Sequence, residues 1–550
     1  MHSHILINQM LGTIASGLKK SSITSCSRYA ESYRIMGKPF PGPFSFLHHP
    51  WAREMHDSDA DSNIGMKAAQ MAFTETALNR TFYKIDIEGV DCLYVLPARS
   101  PDASDFSSAR FDSALELSPH LATLFSDVKN IGHKRAGSRN LYIRGARSRS
   151  GLKSVPAGFL VFDELDEMDQ DNVQLALERA SGQEEKQIWK ISTPTIDNFG
   201  IHKAFKASTQ EFFAFKCPHC SRYTDLIFPD CLVITGDDIN SPTIKASFLQ
   251  CKECKHQLNH DSKVEWLANG KWVPTFSDRV ERGFGINQLY SMTVSPREIA
   301  IAYLKSLSDP TVEQELYNSK FGLPHIVEGA RVTDLLLENC VGTHKNGGLA
   351  PSYIYFTTIG IDVGKWLHYE VDGWILKGSV AGDININANC FVLETNKVTD
   401  FEQLDNVLYK YKPKMTVIDA NPERRKAMEF ANRFFGHVKL CYYGRSINGK
   451  FIHEKPGDLE IEVDRTAWLD LSLGRFHKGQ KAINLPTDTT VEYKNHMKAL
   501  CRVYMKDDNG NPIGRYEKGD DEDHYAHARN YSEMALALAG GVVGSQDIPA

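Results

Sequence analysis

Residues 158–164 read GFLVFDE, an apolar run that ends in Asp163 and Glu164. A run of this kind suits a strand buried on both faces of a parallel sheet, with its last carboxylates emerging at the carboxyl edge where open α/β sheets bind ligands. Two hundred residues later, 358–363 (TIGIDV) repeats the arrangement with Asp362. Around the first run, short strands at 92–97 (CLYVLP), 141–145, 158–163 and 188–192 alternate with helical patterns, which predicts an α/β fold with helices on a parallel sheet.

Asp163 and Glu164 have the form of a Walker B pair, in which the first carboxylate holds Mg²⁺ through its water shell and the second polarises an attacking water. Residues 191–195 (ISTPT) end another strand in hydroxyls, placing Thr193 where a γ-phosphate would be sensed. No stretch matches G-x-x-x-x-G-K-[ST], so the phosphate loop is sought in 67–75 (KAAQMAFTE). There Lys67 can reach phosphates from the start of the loop, Gln70 lies within it, and Thr74 can bind Mg²⁺. Ala72 stands where a glycine would let the backbone turn toward the ligand. Together these features predict a P-loop ATPase-type sheet that binds ATP with Mg²⁺.

The chain has 11 cysteines, of which Cys217, Cys220, Cys251 and Cys254 form the knuckles CPHC and CKEC. Thiolate pairs at this spacing close a tetrahedral Zn²⁺ shell, and with no open position the site is structural. His219, His256 and His260 are alternative donors. The other seven cysteines are scattered singly, which is no disulfide framework and fits a reducing compartment.

A linker is expected at 342–351 (GTHKNGGLAP). Beyond it come a strand at 357–363, hairpin partners at 368–377 and 389–394, a helix at 401–411 and a strand at 415–419 (MTVID). A helix, a strand at 438–443 and a final helix complete the region. That order is the order of ribonuclease H-like nucleases. Asp362 and Asp419 end apolar strands, and adjacent strands would bring their carboxylates together to share two Mg²⁺ or Mn²⁺ ions, which relieve the like-charge repulsion. In the final helix, 521–531 (DEDHYAHARNY), Asp523 and His527 are one turn apart on one face. Asp523 is expected as the third ligand, with His527 as a further ligand or proton-transfer group.

These motifs resemble the large terminase subunit of tailed bacteriophages, the motor and nuclease of DNA packaging. KAAQMAFTE is similar to the family's deviant phosphate loop, GFLVFDELDEM to its Walker B segment and ISTPT to its coupling motif. The cysteine knuckles followed by 283–291 (GFGINQLYS) resemble the lambda-like branch; IGIDVG, VIDAN and DHYAHARNY resemble the three nuclease motifs. The resemblance implies that Lys67 and Thr74 bind nucleotide phosphate and Mg²⁺, that Glu164 activates water, and that Asp362, Asp419 and Asp523 or His527 hold nuclease metals. It implies an arginine finger among Arg99, Arg110, Arg144, Arg147 and Arg149, and His527 stands where many relatives carry the third aspartate. The implied partners are double-stranded DNA, a small terminase subunit, a portal ring and further copies of the chain, in a host cytoplasm.

The expected domains are an amino-terminal segment (1–50), an ATPase core (51–211), a zinc-ribbon-like insert (212–275), the end of the ATPase region (276–341), a linker (342–352) and a nuclease (353–550). The net charge of −6 argues against coating nucleic acid by bulk electrostatics, though a local basic channel is compatible with it. The first twenty residues lack the features of a secretory signal, and no apolar run has the length of a membrane span. The competing readings are a helicase-nuclease, a transposase-like DNA-processing enzyme, or a non-catalytic zinc-containing DNA-binding protein.

Overall fold

The computed structural model describes residues 23–540 except 127, 153–154, 179–181, 184–185, 377–383, 445–451, 455–456 and 507–510. Residues 1–22 of the expected amino-terminal segment therefore lie outside the described residues. The chain divides into two compact units, residues 1–325 and 326–550.

The first unit opens with helix α1 (Cys26–Tyr33), then strand β1 (Ser62–Lys67) and helix α2 (Phe73–Tyr83). Strands β2 (Cys92–Leu96), β3 (Arg139–Gly145), β4 (Phe159–Asp163), β5 (Gln187–Ser192), β6 (Glu211–Lys216) and β7 (Arg282–Ile286) follow. They stand in the order β6-β7-β1-β5-β4-β2-β3, every neighbouring pair parallel. All five residues of β2 and of β4 are buried, as strands covered on both faces must be. β1 escapes a hydrophobicity reading because Ser62, Asn63, Gly65 and Lys67 interrupt it, yet Asn63 to Lys67 are buried. Asn63 is satisfied locally: its amide donates to the Ala60 carbonyl and its oxygen accepts from the Ser58 hydroxyl.

The knuckle-bearing segment is joined to the main sheet, where β6 pairs parallel with β7 and antiparallel with 271–274. The segment before residue 51 packs on α2. Buried Arg34 donates to Asn79 and Glu75 of α2, and the Tyr29 hydroxyl donates to Asp86.

In the second unit, β8 (Phe356–Val363), β9 (Leu367–Leu376) and β10 (Ala388–Val398) form an antiparallel meander. Helix α3 (Phe401–Tyr411), strand β11 (Met415–Asp419), helix α4 (Arg424–Arg433) and strand β12 (Val438–Tyr443) follow. The order β12-β11-β8-β9-β10, with β11 and β12 parallel to β8, is the ribonuclease H-like arrangement expected from the element order. The last described helix, α5 (His524–Gly540), lies directly on β8. A Cβ at Gly360 would stand 1.9 Å from the Ala528 carbonyl oxygen, so only glycine allows this approach. The close packing brings the first turn of α5 down to the Asp362 end of β8.

Arg529 of α5 is fully buried, with Glu370 and Asp372 of β9 at 2.5 and 2.6 Å and Glu533 at 2.8 Å. Arg475 binds the other side of Glu533 at 2.6 Å. Such a network fixes the rotation of α5 against the sheet, since a half-satisfied buried charge is costly. The expected linker also differs from a free tether. Gly342 and Gly347 donate backbone hydrogen bonds to Leu485 and Leu393, and Asn346 pairs with the Thr395 backbone, so the segment is strapped to the second unit.

Candidate functional sites

β1 ends at Lys67, the loop 68–72 turns, and α2 starts at Phe73. The turn places two non-glycine residues in left-handed backbone, Gln70 (φ 64°) and Ala72 (φ 67°). Each anchor of the loop comes from its surroundings. Ala68 and Ala69 donate to the carbonyls of Ile286 and Ser319; Gln288 and the Trp51 indole donate to the carbonyls of Ala69 and Met71. An L-residue in this region costs about 1–2 kcal/mol, only partly matched by the ~0.5–1 kcal/mol of extra chain entropy that glycine loses. Ala72→Gly is accordingly expected to raise the melting temperature, and a lower melting point than the parent's would sink the strained-loop account.

Lys67 is buried, and its Nζ lies 3.1 Å from Glu164 Oε1 at the tip of β4. Glu164, the residue after β4, is itself left-handed (φ 61°). Asp163 accepts a 2.7 Å hydrogen bond from Tyr94 on Oδ2, while its Oδ1 is buried with no partner. Burial and Glu164 push the Asp163 carboxyl up to about 6, against the pull of Lys67, Tyr94 and Thr74. An acid strained this way, with a free oxygen, has the donor chemistry for a hydrated Mg²⁺.

Thr193 is half-buried, and its carbonyl accepts from the Ser192 hydroxyl. The connection between this segment and β4 runs through Asp166, which the sequence reading passed over. Asp166 Oδ2 accepts from Thr195 N at 2.8 Å and Oδ1 from Ile201 N at 2.7 Å, and burial raises its carboxyl to about 7. Its only signal was an acid two residues beyond the Walker B pair. Among the five arginines, Arg110 stands 3.5 Å from Glu75 on α2, Arg144 donates to the Gly132 and Ile143 carbonyls, and Arg149 donates to Asn172. Arg99 and Arg147 are exposed.

The four cysteine sulfurs all lie within 4.8 Å of one another, and Cys217 and Cys254 are 3.9 Å apart. Thiolates about 2.3 Å from one tetrahedral ion stand about 3.8 Å apart, so the cluster fits Zn²⁺. Both knuckles close in the same way, with Ser221 and Lys255 in left-handed backbone and donating to the carbonyls of Cys217 and Cys251. His219 and His256 stack on each other outside the cluster.

In the second unit, Ile361 and Ile418 are paired in parallel register, so Asp362 and Asp419 follow as neighbours at one sheet edge. Burial and Asp362 raise the Asp419 carboxyl to about 6, opposed by Asn421 N–H, His527 and Tyr531. Asp362 Oδ2 lies 2.8 Å from His524 Nδ1, an interaction that draws the imidazole pKa upward. Asp523 is engaged elsewhere: Lys518 Nζ lies 2.6 Å from Oδ1 and His527 Nε2 3.2 Å from Oδ2. Burial opposes its ionisation, but His527 and Lys518 hold its carboxyl well below the usual range. His527 Nδ1 in turn meets the Tyr443 hydroxyl at 2.9 Å. The donors grouped with Asp362 are His368 and His524, while Asp523, the expected third ligand, is held by Lys518 and His527. His368 had no motif to mark it.

The ATPase domain of the phage terminase large subunit gpA matches residues 38–272, and the gpA endonuclease domain matches 281–456. Together they span about three quarters of the chain. The chain belongs to the gpA family of phage terminase large subunits. It is an ATPase joined to an endonuclease, and its function is ATP-driven DNA packaging with nuclease cleavage. The gpA ATPase match takes in the phosphate loop, the acid pair and both cysteine knuckles, and the nuclease match takes in Asp362 and Asp419. No curated protein is significantly similar to the chain. Solved structures similar to it include a large terminase from a thermophilic bacteriophage, at 11% identity over 87% of this chain and 94% of that one (TM-score 0.28). The ATPase domain of the Thermus phage P74-26 large terminase is 13% identical over 50% and 92% (TM-score 0.30). The magnesium-bound terminase nuclease of thermophilic phage G20c is 13% identical over 36% and 94% (TM-score 0.24). The family assignment rests on the two gpA domains.

Proposed function

We propose that this terminase moves double-stranded DNA into a procapsid and cuts concatemers to length, using Lys67, Asp163 and Glu164 for ATP and Asp362 and Asp419 for cleavage. The observation that carries this reading is the meeting of Lys67 with the Asp163–Glu164 pair at one sheet edge, beneath a loop that opens a helix. Bound ATP with Mg²⁺ supplies the phosphoryl group and the charge that Lys67 must neutralise. The N-terminal amides of α2, with Gln70 in the loop and Thr74 in the first turn, favour phosphate there. Asp163 offers its unpartnered oxygen to the ion's water shell. Glu164, released from Lys67, orients the attacking water. Thr193 reads the γ-phosphate and Asp166 carries that state from the 192–195 segment to the Walker B turn.

At the second site Asp362 and Asp419 would hold two divalent ions, with Asp523 as the third ligand and His527 as a further ligand or proton-transfer group. A direct contact of Asp523 with metal requires Lys518 to leave it. Partners on this reading are a small terminase subunit, a portal ring and further copies of the chain, in a host cytoplasm. Among the described residues no helix is long and apolar enough to cross a membrane. ATP hydrolysis stimulated by linear duplex DNA and by procapsids tests the packaging role, and hydrolysis indifferent to both would refute it.

We assign a structural Zn²⁺ to Cys217, Cys220, Cys251 and Cys254. Elemental analysis of the purified chain is expected to return about one zinc per molecule, and Cys251→Ser to unfold the knuckles with loss of that metal. Metal-free protein of normal solubility with four freely reactive thiols would count against it.

A further inference from the structure

Asp362 and His368 face each other across the β8–β9 ladder, and His524 at the start of α5 closes the third side. Their donor atoms all lie within 4.8 Å. The rings of His368 and His524 are parallel, 4.7 Å apart and 7° between planes.

A second observation is independent of this spacing. His368 is only 2% exposed, and neither of its ring nitrogens has a hydrogen-bond partner. The nearest carboxylate, Glu492, is 3.9 Å from Nε2 and already carries an ion pair with Lys397. His496, which also borders the cluster, accepts from the Tyr525 backbone on Nδ1. Buried imidazole nitrogens are seldom left without a partner, so an orphaned pair on a ring with one donor within 4.8 Å of the Asp362 carboxylate and a His524 nitrogen calls for a ligand.

We propose that Asp362, His368 and His524 form a nitrogen-rich divalent-metal site that takes Mn²⁺ in preference to Mg²⁺. Mg²⁺ demands oxygen donors and sheds its waters reluctantly, whereas imidazole suits transition ions. The site shares Asp362 with the nuclease and so rests on that reading, but it adds His368 as a ligand and a metal preference. DNA phosphate and water complete the coordination.

The test is direct binding of Mn²⁺ to the full chain, followed by electron spin-echo envelope modulation, which detects ¹⁴N bonded to the ion. The wild type is expected to bind Mn²⁺ more tightly than Mg²⁺ and to show imidazole nitrogen modulation. His368→Gln is expected to weaken Mn²⁺ binding by at least about 10–100-fold, the cost of losing even a supporting partner of a metal ligand, and to reduce the modulation, with Mg²⁺ binding little changed. Retained ATP turnover and an unshifted melting curve show that this variant is folded; where it is not, the wild-type nitrogen signal alone decides. Unchanged Mn²⁺ affinity in folded His368→Gln, or no nitrogen signal in the wild type, overturns the proposal. Asp419→Asn separates the two readings: loss of cleavage with the nitrogen signal kept supports both. A wild type that shows the nitrogen signal and cuts no DNA refutes the nuclease reading while leaving the metal site standing.

Discussion

Glu164→Gln is expected to lower ATP turnover by about 10²–10⁴-fold, the contribution of a positioned general base, with nucleotide binding intact. The amide keeps the shape of the side chain at the left-handed tip of β4 but cannot polarise water. It also removes the negative partner of Lys67, now 3.1 Å away, so the ammonium becomes available to phosphate. Nucleotide affinity in the variant should therefore equal or exceed that of the parent. Lys67→Ala should instead weaken binding and turnover together, because a buried cation at the end of β1 is then missing. Phosphate release and equilibrium binding of a labelled nucleotide, measured on both variants, separate the two roles. Undiminished hydrolysis in Glu164→Gln would falsify the assignment of that residue.

The second large effect is expected at the other unit. Asp362→Ala should reduce Mg²⁺- or Mn²⁺-dependent DNA cleavage by more than about 100-fold, the upper range for perturbing even a supporting residue of a metal site, with ATP turnover unaffected. Asp362 is buried, adjoins Asp419 and binds His524, so its loss removes the group common to both metal-binding arrangements. Asp419→Ala should also abolish cleavage, since the parallel register of β8 and β11 sets its carboxylate beside Asp362 at the same sheet edge. Plasmid cutting and ATP hydrolysis assayed on one preparation give the comparison. A variant that cuts as well as the parent under matched metal would remove that residue from the site, and one that loses both activities would point to unfolding rather than chemistry.

The acid-tipped strands were legible because each is a continuous local pattern: an apolar run buried on both faces must end in something polar, and the position of that end is set by the chain alone. The cysteine knuckles were legible for a similar reason, since the two ligands of each pair lie on one tight turn. β1 was harder to see. Its buried Asn63 and Lys67 are supported by Ser58, Ala60 and Glu164, and a polar residue whose partners lie outside the strand reads as a break in the pattern. At 342–352 the glycine and polar content marks a loop but not whether backbone partners from Leu393 and Leu485 will hold that loop down.

By itself the sequence determined the acid-tipped strands, the order of the elements from 357 to 443 and the four thiolates, because these depend on period, composition and short spacing. Only the tertiary structure decided that β7 flanks the phosphate-loop strand, that Asp166 binds the coupling segment, and that Asp362 meets His368 and His524. Those contacts join residues up to 219 positions apart, as when Gln288 binds Ala69, and they follow from sheet order and from the depth at which α5 settles on Gly360. Local pattern carries no record of either, since strand pairing and helix docking are selected by burial summed over the whole unit.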